Sequence, residues 1–92
     1  MQYSYDKTKK VLNLKKHGFD FDDAKQVIEG DKTVTFEDNR FNYGEQRFIT
    51  IGLLRDALVL IVTSETEKEI RIISMRKAEK HEQTKYHENI NR

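Results

Sequence analysis

Ile70-Arg71-Ile72-Ile73-Ser74-Met75-Arg76-Lys77-Ala78 is an alternating apolar run that carries two arginines and a serine and then passes into a polar helical pattern. A strand beside a core normally excludes arginine, because a charge that loses its water must find a partner. Arg71 and Arg76 therefore either serve paired carboxylates or wait for an anionic ligand. Phosphate is the natural anion, since the planar guanidinium fork matches its oxygens. In a regular strand, residues 71 and 76 face opposite sides. They converge only if the strand bends or ends near Ser74 and Met75.

Working back from this strand (Glu69 to Met75), Glu65-Thr66-Glu67-Lys68 reads as a turn, and Ala57 to Val62 is a continuous apolar run. Such a run marks a central strand covered on both faces. Arg55-Asp56 reads as a tight turn, although it lacks the glycine of the best hairpin signals. Gln46 to Leu54 and Thr33 to Phe36 supply two more strands, joined by a polar loop over residues 38–44 that carries Phe41 and Tyr43. Closer to the start the period is helical. Asp6 can cap a helix over residues 7–16, with Val11, Leu12 and Leu14 as a short buried stripe. Lys15, Lys16 and His17 fall in its last turn, where cations suit the dipole, and Gly18 sits where a left-handed cap belongs. Phe21, Ala24, Val27 and Ile28 predict a second helix, capped by Asp20 or Asp22 and closed by Gly30. Residues 77–88 return to helix, with Ala78, Glu82 and Tyr86 on one face. That stripe is thin, so the helix packs loosely or rests on a partner. The expected architecture is α+β in a single domain, residues 1–92: two N-terminal helices, a four-stranded antiparallel sheet and a C-terminal helix.

Bulk composition narrows the options. Charged residues and hydrophobic residues each make up 36%, which implies a heavily charged surface over a small core. A net charge of +1 does not announce a nucleic-acid binder, but local charge is uneven. Residues 7–17 hold Lys7, Lys9, Lys10, Lys15, Lys16 and His17 and no acid, whereas residues 20–38 are rich in Asp and Glu. The pattern allows a basic patch beside an acidic face, or simply two solvated helix faces. With no cysteine there is no disulfide framework and no thiolate metal site. His81 and His87 lie six apart on a predicted helix, on different faces, and the four glycines are scattered, so neither a metal nor a cofactor is expected. No apolar run nears the roughly 20 residues of a membrane span, and Met1 to Asp6 lacks the apolar stretch of a signal peptide. No membrane association and a cytoplasmic location are the expectations.

Several segments together resemble one family. Lys16-His17-Gly18-Phe19-Asp20-Phe21-Asp22-Asp23-Ala24 is similar to the signature KHGVSFEEA of BrnT-type toxins. Gly44-Glu45-Gln46-Arg47 followed by Gly52 resembles that family's middle motif, and Ile70 to Ala78 resembles its IRIISARKA. Asp6, Asn13, Glu82 and Tyr86 also fall where the family carries such residues. Tyr5 stands where the family usually has Trp, and Met75 replaces a small residue. The resemblance covers nearly the whole chain. It implies a RelE-like ribonuclease toxin of a type II toxin–antitoxin system, acting on RNA and silenced by a cognate antitoxin encoded alongside. That antitoxin would be BrnA-like and DNA-binding, so operator DNA would be touched only through it.

Metal-free RNA cleavage needs a base for the 2′-hydroxyl proton, cations for the phosphorane charge and an acid for the leaving 5′-oxygen. Acid–base catalysis contributes about 10²- to 10⁴-fold, and charge stabilisation often matters more. His17 is the candidate proton carrier and Glu45 the competing base. Arg71 and Arg76 are the candidates for the phosphate, with Arg47 able to join either. Lys16 can hold RNA backbone, and Tyr86 can stack on a base or act as a late acid. Each has a plainer role available: a capping histidine, a carboxylate paired with Arg47, arginines in salt bridges, a solvated lysine, a packing tyrosine. Two other functions compete with the nuclease: a module that binds RNA or protein without cutting, and a degenerate toxin kept only as half of a repressor complex.

Overall fold

The computed structural model describes residues 1–40 and 44–91. Among them, five strands form one sheet: β1 (Gln2–Tyr5), β2 (Thr33–Glu37), β3 (Arg47–Leu54), β4 (Ala57–Glu65) and β5 (Glu69–Lys77), in the order β1-β5-β4-β3-β2. The helices are α1 (Lys7–His17), α2 (Ala24–Ile28) and α3 (Lys80–Ile90), and a 3-10 turn over Phe21–Asp23 leads into α2. None of the helices is long and apolar enough to cross a membrane.

The α+β class agrees with the sequence, but the four-stranded antiparallel sheet needs correcting. β2 to β5 make the antiparallel meander, and Leu54 pairs with Ala57 across the glycine-free turn, where Arg55 takes φ 55°. The unforeseen β1 adds a parallel edge, Gln2 opposite Glu69 through Tyr5 opposite Ile72. Four residues give no usable period; the open edge of β5 makes them a strand. Tyr3 and Tyr5 then pack on the core, and burial together with a hydrogen bond to Glu29 pushes the Tyr3 phenol up to about 12. The second N-terminal helix is also shorter than its apolar spacing suggests, with its first turn wound as 3-10 and capped by Asp20. The polar loop over residues 38–44 lies partly outside the described residues, and Phe41 and Tyr43 with it.

Helices cover both faces of the sheet. Phe21, Ala24 and Val27 from the first layer pack on Leu54, Val59, Ile61, Ile70, Ile72 and Met75. On the other face, α3 lies over β2 and β3, and Tyr86 packs among Ile49, Ile51 and Leu60. α2 and the first residue of β2 approach β3 closely enough that a Cβ on Gly52 would stand 2.9 Å from Val27 and 2.8 Å from Thr33.

α1 begins and ends as its caps dictate. The Asp6 carboxylate accepts from the Lys9 N–H at 3.0 Å, and Gly18 terminates the helix at φ 78°. Its expected buried stripe is absent: Val11, Leu12 and Leu14 are 53%, 58% and 46% exposed. The helix is held instead by a polar clip. Asn13 donates to the Met75 carbonyl at 2.8 Å and the Phe19 carbonyl at 3.0 Å, and accepts from the Met75 N–H at 3.1 Å. Met75 lies beyond the reach of β1, so the Asn13 amide takes the place of a missing strand there.

α3 starts later than predicted. Ala78 prolongs the strand, its N–H donating to Leu58 O at 2.9 Å, and Glu79 and Glu82 form a capping box. The helix is tightly held despite its thin stripe, because Tyr86 is 4% exposed and its hydroxyl donates to Lys32 O at 3.0 Å.

One irregularity positions the arginines. In the β4–β5 ladder Thr63 pairs with Ile72 and Val62 with Ser74, leaving Ile73 without a partner. This bulge resets the alternation. Ile70 and Ile72 before it, and Met75 after it, all point to the α1/α2 core. Arg71, Ser74 and Arg76 consequently share the α3 face.

Candidate functional site

Opposed residues in neighbouring strands share a face. Ser4 pairs with Arg71, Arg71 with Ser64, and Ser64 with Arg47, so these four form a row across β1, β5, β4 and β3. Arg71 and Arg47 stand two strand spacings apart, about 10 Å between backbones. Both side chains are long enough to lean over Ser64 and meet on one anion. Arg71 is exposed and has no ion pair among the described residues, although its charge helps hold the Asp6 carboxyl below its ordinary value, after the hydrogen bond from the Lys9 N–H. Arg47 is half-buried and its Nε donates to Glu45 at 3.3 Å. Glu45, Arg47 and Arg71 are thereby brought to one end of the α3 face.

Arg76 lies further along the same face but is already engaged. Its two terminal nitrogens donate to the two Glu82 oxygens at 2.8 Å each, and one also reaches the Lys77 carbonyl at 3.1 Å. Glu79 adds a weaker contact at 3.7 Å. The hydrogen bonds from Arg76 hold the Glu82 carboxyl below its usual range and, reciprocally, raise the guanidinium further. The pair ties the end of β5 to the first turn of α3.

His17 and Lys16 occupy a second place. With Lys9, Leu12, Asn13 and Ile73 they line a shallow groove of about 310 Å³. It runs along the edge of β5 where β1 has ended, and the bulge residue Ile73 is part of its wall. The candidates therefore fall in two groups: His17 and Lys16 at the edge of β5, and Arg71, Arg47 and Glu45 on the α3 face of the sheet, across β5, β4 and β3. No hydrogen bond or ion pair joins His17 to Glu45 among the described residues. Tyr86 belongs to neither group, being buried under α3.

A more enclosed cleft of about 210 Å³, between α3 and the start of the loop after β2, was not foreseen. Its wall includes Phe36, Asp38, Arg40, Ile49, Glu82 and Lys85. The buried Asp38 carboxylate accepts from Arg40 at 2.8 and 3.1 Å, and Lys85 sits 4.1 Å from the centre of the Phe36 ring. Loop residues two apart carry no periodic signal, so spacing alone could not have found it. Glu79, His81 and Glu82 also bring ligand atoms within 4.8 Å of one another. A cation there would have to displace or face the Arg76 guanidinium bound to Glu82.

No curated protein matches the sequence. A family model described as the ribonuclease toxin, BrnT, of type II toxin-antitoxin systems matches residues 5–82, from the last residue of β1 to the Glu82 that holds Arg76. That stretch contains the row from Arg47 to Arg71 with its neighbour Glu45, the edge groove and the bulge, and the chain accordingly belongs to the BrnT family of ribonuclease toxins, whose partner is a cognate antitoxin.

Proposed function

We propose that this toxin is a metal-independent endoribonuclease of RelE-like type that cuts RNA laid across β5. The observation that carries the reading is the row Arg47–Ser64–Arg71 on the α3 face, with Arg71 exposed and Arg47 and Ser64 half-buried. Two guanidiniums converging over a serine suit a phosphate whose charge grows in the transition state. Glu45, tied to Arg47, accepts the proton of the 2′-hydroxyl. The freed oxygen attacks the adjacent phosphorus, the bond to the 5′-oxygen breaks, and that oxygen takes a proton from His17 in the edge groove. The products are a 2′,3′-cyclic phosphate and a 5′-hydroxyl. Lys16 holds a neighbouring phosphate. Arg76 and Tyr86 act as positioning residues, Arg76 through Glu82 and Tyr86 through its anchor on Lys32. The toxin works in the cytoplasm, where its BrnA-like antitoxin neutralises it and supplies the contact with operator DNA.

The test is RNA cleavage by the purified chain, with and without EDTA, together with growth after induced expression. Arg71→Ala should lower cleavage by about 10²- to 10³-fold and relieve growth arrest. Cleavage that persists in EDTA supports metal independence, and cleavage that EDTA abolishes overturns it. Full activity in both Arg71→Ala and Arg47→Ala would remove the row from the site. A soluble wild type that binds RNA without producing new 5′ ends would make the chain a binding module.

A further inference from the structure

α1 is attached to the body through one narrow side. Asn13 clips Met75, and Lys10 pairs with Asp22 at 2.8 Å. The apolar side chains of the helix lie elsewhere, with Val11, Leu12 and Leu14 about half exposed. Val11 and Leu14, three apart, are neighbours on the helix surface, and Lys7 and Lys15 lie beside them at the spacing of one turn. Leu12 turns toward Lys16 and the edge groove. Lys7, Lys9, Lys15 and Lys16 are exposed without an ion pair among the described residues, and residues 7–17 contain no acid. A single exposed leucine is ordinary; three apolar residues on one short helix, ringed by unpaired lysines, form a surface suited to a partner.

We propose that this face docks an acidic amphipathic segment of the cognate antitoxin, with apolar side chains on Val11 and Leu14 and carboxylates on Lys7 and Lys15. Charge selects the occupant. A second copy of the helix would set lysines against lysines, with no acid to relieve them. RNA backbone would satisfy the lysines and leave Val11 and Leu14 in water. A segment carrying both carboxylates and apolar groups satisfies both sets. Since Leu12 and Lys16 border the groove, a segment laid here also obstructs RNA at His17. That obstruction rests on the function proposed above; the docking itself does not.

The test is isothermal titration calorimetry of the full chain with its antitoxin. Val11→Gln combined with Leu14→Gln keeps good helix formers at exposed positions, so the fold and the rate of RNA cleavage should be unchanged. Antitoxin affinity should fall about a hundredfold. Lys7→Glu with Lys15→Glu should also weaken binding and flatten its salt dependence. Unchanged affinity in both double variants overturns the proposal. A loss of RNA cleavage with normal antitoxin binding would also overturn it, by assigning the face to RNA. Light scattering that shows a wild-type dimer, abolished in Val11→Gln/Leu14→Gln, would assign the face to a second copy. If the wild type cleaves no RNA, the nuclease reading fails while the titration still reads the docking face.

Discussion

Arg71 and Arg76 sit on one strand and on one face, yet their surroundings give them different tasks. Arg76 spends its guanidinium on Glu82, whose side chain is only 15% exposed. Removing the cation leaves a largely buried carboxylate without its strongest partner, so Arg76→Ala should cost about 2 kcal/mol in urea denaturation. Arg71→Ala removes no ion pair among the described residues and should change stability by less than about 0.5 kcal/mol while lowering cleavage by about 10²- to 10³-fold. The Glu82 carboxyl also sets a pH dependence. Its folded pKa lies below its ordinary value of 4.5, chiefly through the hydrogen bonds from Arg76. The stability it contributes is therefore complete above about pH 4.5 and is lost as pH falls through the lowered folded value. Denaturation midpoints measured across that acid range should drop less steeply for Glu82→Gln than for the wild type. The motif around Ile70 to Ala78 made both arginines conspicuous, but not which one was already partnered. Glu82 is six residues further on, and only the turn into α3 folds it back onto Arg76.

Among the elements, α1 departs furthest from what its sequence suggests. Its caps were legible because an N-cap aspartate and a terminal glycine act within one turn. Its buried face was not, because three apolar side chains lost to a single amide. Asn13 satisfies both backbone groups of Met75, and leaving those groups buried and unpaired is more costly than exposing part of a leucine. Asn13→Ala should accordingly destabilise the protein by about 2–3 kcal/mol by urea denaturation, more than Leu12→Ala or Leu14→Ala. An effect smaller than either leucine change would mean that apolar contacts, not the clip, seat the helix. The bulge at Ile73 belongs to the same scale. A strand's parity is a property of its ladder, and an unpaired residue in that ladder turns an expected opposition of residues 71 and 76 into a shared face.

For the molecule as a whole, β1 matters beyond its four residues. It covers the first half of β5, carries Tyr3 and Tyr5 into the core, and leaves the second half of that edge to Asn13 and the groove. Removing residues 1–5 should lower the melting temperature by several degrees and promote concentration-dependent association, read by thermal melts and light scattering. A truncated chain that stays monomeric with an unchanged melt would show that the edge is protected by other means. The two groups of candidate residues also meet only at this scale. His17 and Lys16 come from the end of α1, Glu45 and Arg47 from the start of β3, and Arg71 from β5, and the sheet order β5-β4-β3 is what sets Arg71 in line with Arg47 while β5 also forms a wall of the groove at His17.

What the sequence determined by itself is local or repeated along the chain: the strands from Thr33 to Met75, the caps at Asp6 and Gly18, and the motifs that identify the family. Period, capping and motif spacing need only neighbouring residues to be read. The tertiary structure alone decided that Met1 is followed by a strand, that α1 shows its apolar side chains to solvent, and that Arg71 aligns with Arg47 while Arg76 is held by Glu82. Each of these depends on a partner far along the chain, whose edge, unpaired backbone group or charge becomes available only once the sheet has formed.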